Sequence, residues 1–181
     1  AERVGKEVLS PKRPPLVFDE VHMRRIGVVA ARIARALAYV HGEGVVHRDL
    51  KPDNVVLLAG ERPVLIDFGI AKARRATGRE RLEVEREIVG TAAYVAPEQI
   101  MGEPPDPRSD IYALGCLLYR MLAERPPFVG SNAASLLHAH VYERPLAPSA
   151  LVAGLPPEVD VLVLSLLEKD PLARPAYAED V

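Results

Sequence analysis

Eight residues, His47-Arg48-Asp49-Leu50-Lys51-Pro52-Asp53-Asn54, stand between two purely apolar runs, Val45-Val46 and Val55–Leu58. A segment this polar cannot be threaded through a core, so it is expected on a loop held at the ends of short strands. Downstream comes Asp67-Phe68-Gly69, a carboxylate presented at a strand end ahead of a flexible glycine. Asn54 and Asp67 both offer hard oxygen atoms, the donors that Mg²⁺ selects. Asp49 adds a second carboxylate and Lys51 a point positive charge. Such a set suits phosphoryl transfer, where catalysis is mostly positioning plus stabilisation of charge on phosphoryl oxygens.

Hydrophobic spacing predicts the frame around that loop. Residues 1–17 mix charge with Pro11, Pro14 and Pro15 and read as an irregular lead-in. A helix is predicted from near Asp19, whose carboxylate would cap the first turn. Ile26, Val29, Ile33, Leu37 and Val40 recur along it at helical spacing, and Gly42 and Gly44 end it. Residues 55–58 and 64–66 read as a β-hairpin with its loop at 59–62. Residues 73–90, dominated by Arg and Glu, read as a long exposed loop. Residues 110–123 are apolar on most sides and are expected to form a central, buried helix. Further helices are predicted over 132–142 and 156–168, with Pro157 acceptable in a first turn. Nothing repeats at a fixed period, and no linker marks a second domain.

Composition removes several classes of function. The 181 residues carry 25 acidic and 23 basic side chains, a net charge of −2, so bulk electrostatic binding of nucleic acid is excluded. One cysteine, Cys116, makes neither a disulfide framework nor a multi-cysteine zinc site, and fits a reducing, cytosol-like compartment. No apolar run approaches the roughly 20 residues of a membrane-spanning helix. The first 12 residues lack the apolar centre of a signal peptide. A globular, soluble domain is expected.

The polar loop, read together with its neighbours, resembles a known family. His47–Asn54 matches the protein-kinase catalytic loop H-R-D-L-x-x-x-N, Asp67-Phe68-Gly69 the D-F-G element, and Ala96-Pro97-Glu98 the A-P-E element, in the family's order. The likeness runs on through Asp110-Ile111-Tyr112-Ala113-Leu114-Gly115 to Lys169-Asp170-Pro171-Leu172-Ala173-Arg174-Pro175. Together with Gly90-Thr91-Ala92-Ala93-Tyr94, the wording resembles bacterial serine/threonine kinases of the eukaryotic type. The resemblance implies an α+β protein-kinase-like fold, of which residues 1–181 would be the mainly α-helical C-terminal lobe with a short β-hairpin. No G-x-G-x-x-G occurs. Lys6 and Lys12 are the only lysines ahead of the catalytic loop, and neither lies in a strand-like run. The small lobe is therefore expected to be absent, with the domain truncated at both ends and inactive in isolation.

The resemblance also implies roles. Asp49 would accept or orient the proton of a substrate hydroxyl, and Lys51 would neutralise charge on the moving γ-phosphoryl of ATP. Asn54 and Asp67 would hold Mg²⁺ against the nucleotide. Thr91 would hydrogen-bond into the Asp49/Lys51 pair, and Tyr94 and Ala96 would line the place of the residue after the acceptor. Glu98 with Arg174 would form a buried ion pair, and Asp110 would brace the catalytic loop; these are structural. Residues 67–98 would be the activation segment. Arg48 belongs to the kinases in which a phosphate on that segment pairs with this arginine. Here no Ser or Thr lies between Thr77 and Thr91, so Glu83 or Glu85 is a candidate permanent, weaker partner; the competing reading is a solvated charged loop.

Blander readings hold elsewhere. His47 is expected to be structural, Asp53 to make local turn hydrogen bonds, and Cys116 to be a small core residue. His138 and His140 should face different ways, so they do not make a metal site. Implied partners are proteins bearing Ser or Thr, ATP, and a second kinase copy as a homodimer. Nucleic acid and a membrane span in this chain are not expected. The location would be cytoplasmic, with a longer protein free to continue into a membrane anchor and external sensor. Two alternatives remain open: a catalytically incomplete lobe that binds proteins, and a kinase-like small-molecule phosphotransferase. The second generally lacks Ala96-Pro97-Glu98 and Gly90-Thr91.

Overall fold

A computed structural model describes residues 16–17, 20–69, 90–104 and 106–181. Helix α1 spans Glu20–Gly42 and buries Ile26, Val29, Ala30, Ile33, Ala34 and Leu37, one stripe at helical spacing. It lies against α3, Pro107–Ala123, the centre of the core. There Pro107 occupies the first turn, where its missing N–H costs nothing, and the Asp106 carboxylate accepts the Arg108 N–H at 2.7 Å. Ile111, Tyr112, Leu114, Cys116, Tyr119 and Leu122 of α3 are all essentially inaccessible. The short α2, Pro97–Ile100, precedes it; α4, Ala133–Tyr142, and α5, Pro157–Leu166, follow. Gly115 lets α5 approach α3 closely, since a Cβ there would sit 2.8 Å from Leu166 Cβ. Asn132 caps α4 by accepting the Ser135 N–H at 2.9 Å.

Two small sheets complete the described structure. β2, Val55–Leu58, pairs antiparallel with β3, Arg62–Leu65, Val55 opposite Leu65 and Leu58 opposite Arg62. The hairpin loop is therefore one residue shorter than predicted, and Arg62 and Pro63 belong to the strand. Pro63 is tolerated because a two-stranded ladder leaves each strand a free edge. Gly60 and Glu61 turn the chain with φ of 75° and 58°. Arg32 of α1 clamps that turn, donating to the carbonyls of Gly60 and Glu61 at 2.5 and 2.8 Å. The second pairing departs from the sequence expectation: β1, Leu16–Val17, runs parallel to β4, Val152–Ala153, so the end of the supposed irregular lead-in is paired. No strand forms at Val45-Val46. α3 begins three residues before the predicted start, and α5 ends two residues before the predicted end. Among the described residues no helix is long and apolar enough to cross a membrane. Residues 70–89, which hold all of the predicted exposed loop except Gly90 and include Glu83 and Glu85, lie outside the described residues, as does Asp19; Gly90 itself is exposed and opens a short helical turn.

Candidate active site

Asp110, in the first turn of α3, organises the polar loop from below. Its Oδ2 accepts the His47 N–H and its Oδ1 the Arg48 N–H, both at 2.8 Å, and His41 Nε2 donates to Oδ2 at 2.8 Å. A carboxylate buried to 1% exposure needs such partners, and here they are the backbone of the loop itself. Arg48 sits at φ 66°, which costs a residue with a Cβ about 1–2 kcal/mol. Its N–H is held by Asp110, and Gln99 Nε2 donates to its carbonyl at 3.0 Å.

His47 is fully buried and stacks at 4.5 Å between ring centroids on Phe68. Its Nε2 donates to the Ile66 carbonyl at 3.1 Å, leaving Nδ1 to face the Asp49 N–H at 3.4 Å. Gly69 donates its N–H to the His47 carbonyl at 2.8 Å. A Cβ on Gly69 would come within 3.3 Å of Arg48 Cβ, Asp49 Cβ and the His47 carbonyl. This glycine therefore serves close packing of two backbones, where its sequence context pointed to flexibility.

On that base the predicted polar residues converge. Lys51 Nζ lies 3.5 Å from Asp49 Oδ2 and donates to Thr91 Oγ1 at 3.0 Å. Asn54 Nδ2 donates to the Asp49 carbonyl at 2.7 Å and to its Oδ2 at 3.1 Å. With its amide hydrogens spent on Asp49, Asn54 has Oδ1 left as a hard ligand for a cation. Asp67, at φ 53°, follows the end of β3, and its carboxylate is chemically a hard oxygen donor like Asn54 Oδ1, with no hydrogen bond or ion pair to Asp49, Lys51 or Asn54 seen among the described residues. The donor set thus fits Mg²⁺. Asp53 is exposed, and no side-chain hydrogen bond of it is seen among the described residues; the turn is closed instead by the Asn54 N–H on the Lys51 carbonyl at 3.0 Å.

Behind Thr91 the chain is held firmly. Tyr94 and Ala96 are buried, with the Tyr94 hydroxyl accepting from Arg120 at 3.1 Å. Burial raises the Tyr94 pKa. Glu98 takes two bonds from Arg174, at 2.7 and 2.8 Å, and one from Ser109 at 2.7 Å. Burial pushes the Glu98 carboxyl up, but the Arg174 and Ser109 bonds and the guanidinium charge outweigh it and hold it below its ordinary value. Arg174 spends its other donors on the carbonyls of Glu168, Arg108 and Lys169. Cys116 is inaccessible, its thiol pKa pushed up by burial. His140 is buried and His138 exposed, on different faces of α4.

Residues 12–181 match the family described as the protein kinase domain. The chain belongs to the protein kinase family. A Streptomyces coelicolor protein named "Probable serine/threonine-protein kinase" is 44% identical over 149 residues, covering 82% of this chain and 22% of its own length. The serine/threonine-protein kinase PknB of Mycolicibacterium smegmatis is 40% identical over 148 residues (82% and 24%), and that of Mycobacterium tuberculosis 41% over 146 (81% and 23%). The chain therefore spans less than a quarter of the length of these curated relatives. Three residues of this kinase chain are not singled out by its sequence: His41 and Ser109, which serve the buried carboxylates, and Gln99. None leaves a local signal: Gln99 stands three residues after Ala96 at a helix start, but alanine has no side-chain acceptor to complete a capping box.

Proposed function

We propose that this chain carries the phosphotransfer site of a serine/threonine protein kinase, moving the γ-phosphoryl of ATP to Ser or Thr hydroxyls of proteins. One observation supports it above others: Lys51 bridges the Asp49 carboxylate and the Thr91 hydroxyl. An acceptor hydroxyl placed beside Asp49 gives up its proton to that carboxylate as its oxygen bonds to the γ-phosphorus. The bond from phosphorus to the bridging oxygen of ADP breaks, and the proton later leaves to water. Lys51 offsets charge on the moving phosphoryl group. Mg²⁺, when bound by Asn54 Oδ1 and Asp67, supplies charge neutralisation on the nucleotide phosphates. Thr91 helps seat the acceptor, and Tyr94 and Ala96 border the place of the residue after it. Glu83 or Glu85, standing where the activation segment carries no Ser or Thr between Thr77 and Thr91, is the proposed carboxylate partner of Arg48 in place of a phosphate.

The test is transfer of labelled phosphate from MgATP to a Ser/Thr-containing protein by the protein at its natural full length, small lobe included, with and without Asp49→Asn. Loss of general-base help should lower kcat by about 10²–10⁴-fold. Equal rates for the two proteins, or no transfer by the natural one, would refute the proposal.

A further inference from the structure

Gln99 touches neither Asp49 nor Thr91 in the contacts above, yet its side chain ties the loop of one to the segment of the other. Its Nε2 donates to the Arg48 carbonyl at 3.0 Å, and its Oε1 accepts the Ala96 N–H at 3.0 Å. The Arg48 carbonyl belongs to the peptide unit that leads into Asp49. Arg48 itself is left-handed, a conformation that persists only when the surroundings over-determine it. Its N–H is taken from α3 by Asp110, so the carbonyl is the half of the constraint that Gln99 supplies from α2. Ala96, at the other end of the side chain, has no exposed surface and closes the segment that begins at Thr91.

We propose that Gln99 is a positioning residue that couples the seating of the acceptor at 91–96 to the placement of Asp49. The inference rests on the phosphotransfer reading above. Its two bonds are chemically different, so substitution separates them. Gln99→Glu keeps an oxygen for the Ala96 N–H, loses the donor, and turns a charged oxygen toward the Arg48 carbonyl. Gln99→Met keeps the length and loses both bonds.

The experiment is steady-state phosphotransfer from MgATP to a serine peptide by the protein at its natural full length, small lobe included, across a pH range from about 4.5, where an ordinary glutamate is about half protonated, to about 8.5. Gln99→Glu should lower kcat about five- to tenfold, the worth of one hydrogen bond, with the peptide KM within about twofold. Gln99→Met should lower kcat similarly and also raise the peptide KM. On acidification the carboxyl introduced by Gln99→Glu regains a proton and becomes a donor, so the ratio of that variant's kcat to that of the natural protein should rise. Lost packing alone would not produce that slope. If Gln99→Met does not fold, the Gln99→Glu variant alone decides. Unchanged kcat, or a ratio flat with pH, overturns the coupling. Amide hydrogen exchange at Asp49 and Leu50 in the same proteins separates the two readings. Faster exchange in the Gln99→Glu variant beside a natural protein that transfers no phosphate supports the coupling and sinks the kinase reading. Equal exchange in that case overturns the coupling.

Discussion

His140 should make this fold acid-sensitive well before its carboxylates do. The imidazole has no exposed surface; Nδ1 receives the Tyr112 hydroxyl at 2.9 Å, Nε2 has no hydrogen-bond partner among the described residues, and the ring meets Phe128 edge-on at 4.9 Å. Burial, and then the nearby Lys169 charge, push its pKa down to about 3. The unfolded chain binds the same proton near pH 6.5, so between those values the unfolded state holds more protons. Stability from this group is therefore complete above about 6.5 and falls as the pH is lowered toward the folded value. At pH 5 the loss is about 2 kcal/mol, from a gap of about 1.5 pH units. His140→Gln keeps an acceptor for Tyr112 and removes the titration. Urea unfolding followed by circular dichroism, at pH 5 and pH 7.5, should show the natural protein losing about 2 kcal/mol more than the variant. Glu98, held below the ordinary carboxylate range, acts only at lower pH, and the remaining histidines are common to both proteins. Equal losses in the two proteins would refute the argument.

Two further substitutions probe the frame of the site. Gly115→Ala drives a Cβ to 2.8 Å from Leu166 Cβ, so overpacking of about 1–3 kcal/mol should exceed the roughly 1 kcal/mol gained in helix propensity. A fall in melting temperature is expected, and a rise would show that α5 yields freely. Arg174→Met leaves the Glu98 carboxylate buried with Ser109 as its one side-chain partner, a loss of about 3–5 kcal/mol at pH 7. That penalty should shrink in urea titrations at pH 4.5, because the unpaired carboxyl then protonates. A loss that is the same at both pH values would show that packing, not charge, is what Arg174 provides.

Long periodic segments are readable from the chain; pairings across distance are not. α1 announces itself through Ile26–Leu37, where burial repeats at helical spacing, and α3 through an apolar run, Ile111–Tyr119, buried on all sides. The hairpin is legible too, but Pro63 and Arg62 carry loop character locally and strand geometry only through their partners Leu57 and Leu58. The polar loop stands out because eight side chains of fixed order lie in one stretch. What places them does not. His41, Ser109 and Gln99 are ordinary residues in sequence, and each acquires its task only when a carboxylate or a carbonyl is brought up from another element. Gly69 shows the same limit. Its need to be glycine comes from the backbone of His47–Asp49, which is remote in the chain.

The pairing of Leu16–Val17 with Val152–Ala153 has a consequence for the order in which the chain assembles. Its partners are separated by most of the described sequence, so closing that loop early carries a large entropic cost and returns only a two-residue ladder. Helices with local contacts, α1 and α3 among them, reach their shape long before such a contact becomes favourable. The ladder is thus a closing stitch, formed on a scaffold that already exists. By the same reasoning it belongs to the parts that open first, ahead of the core around Tyr112 and Leu114.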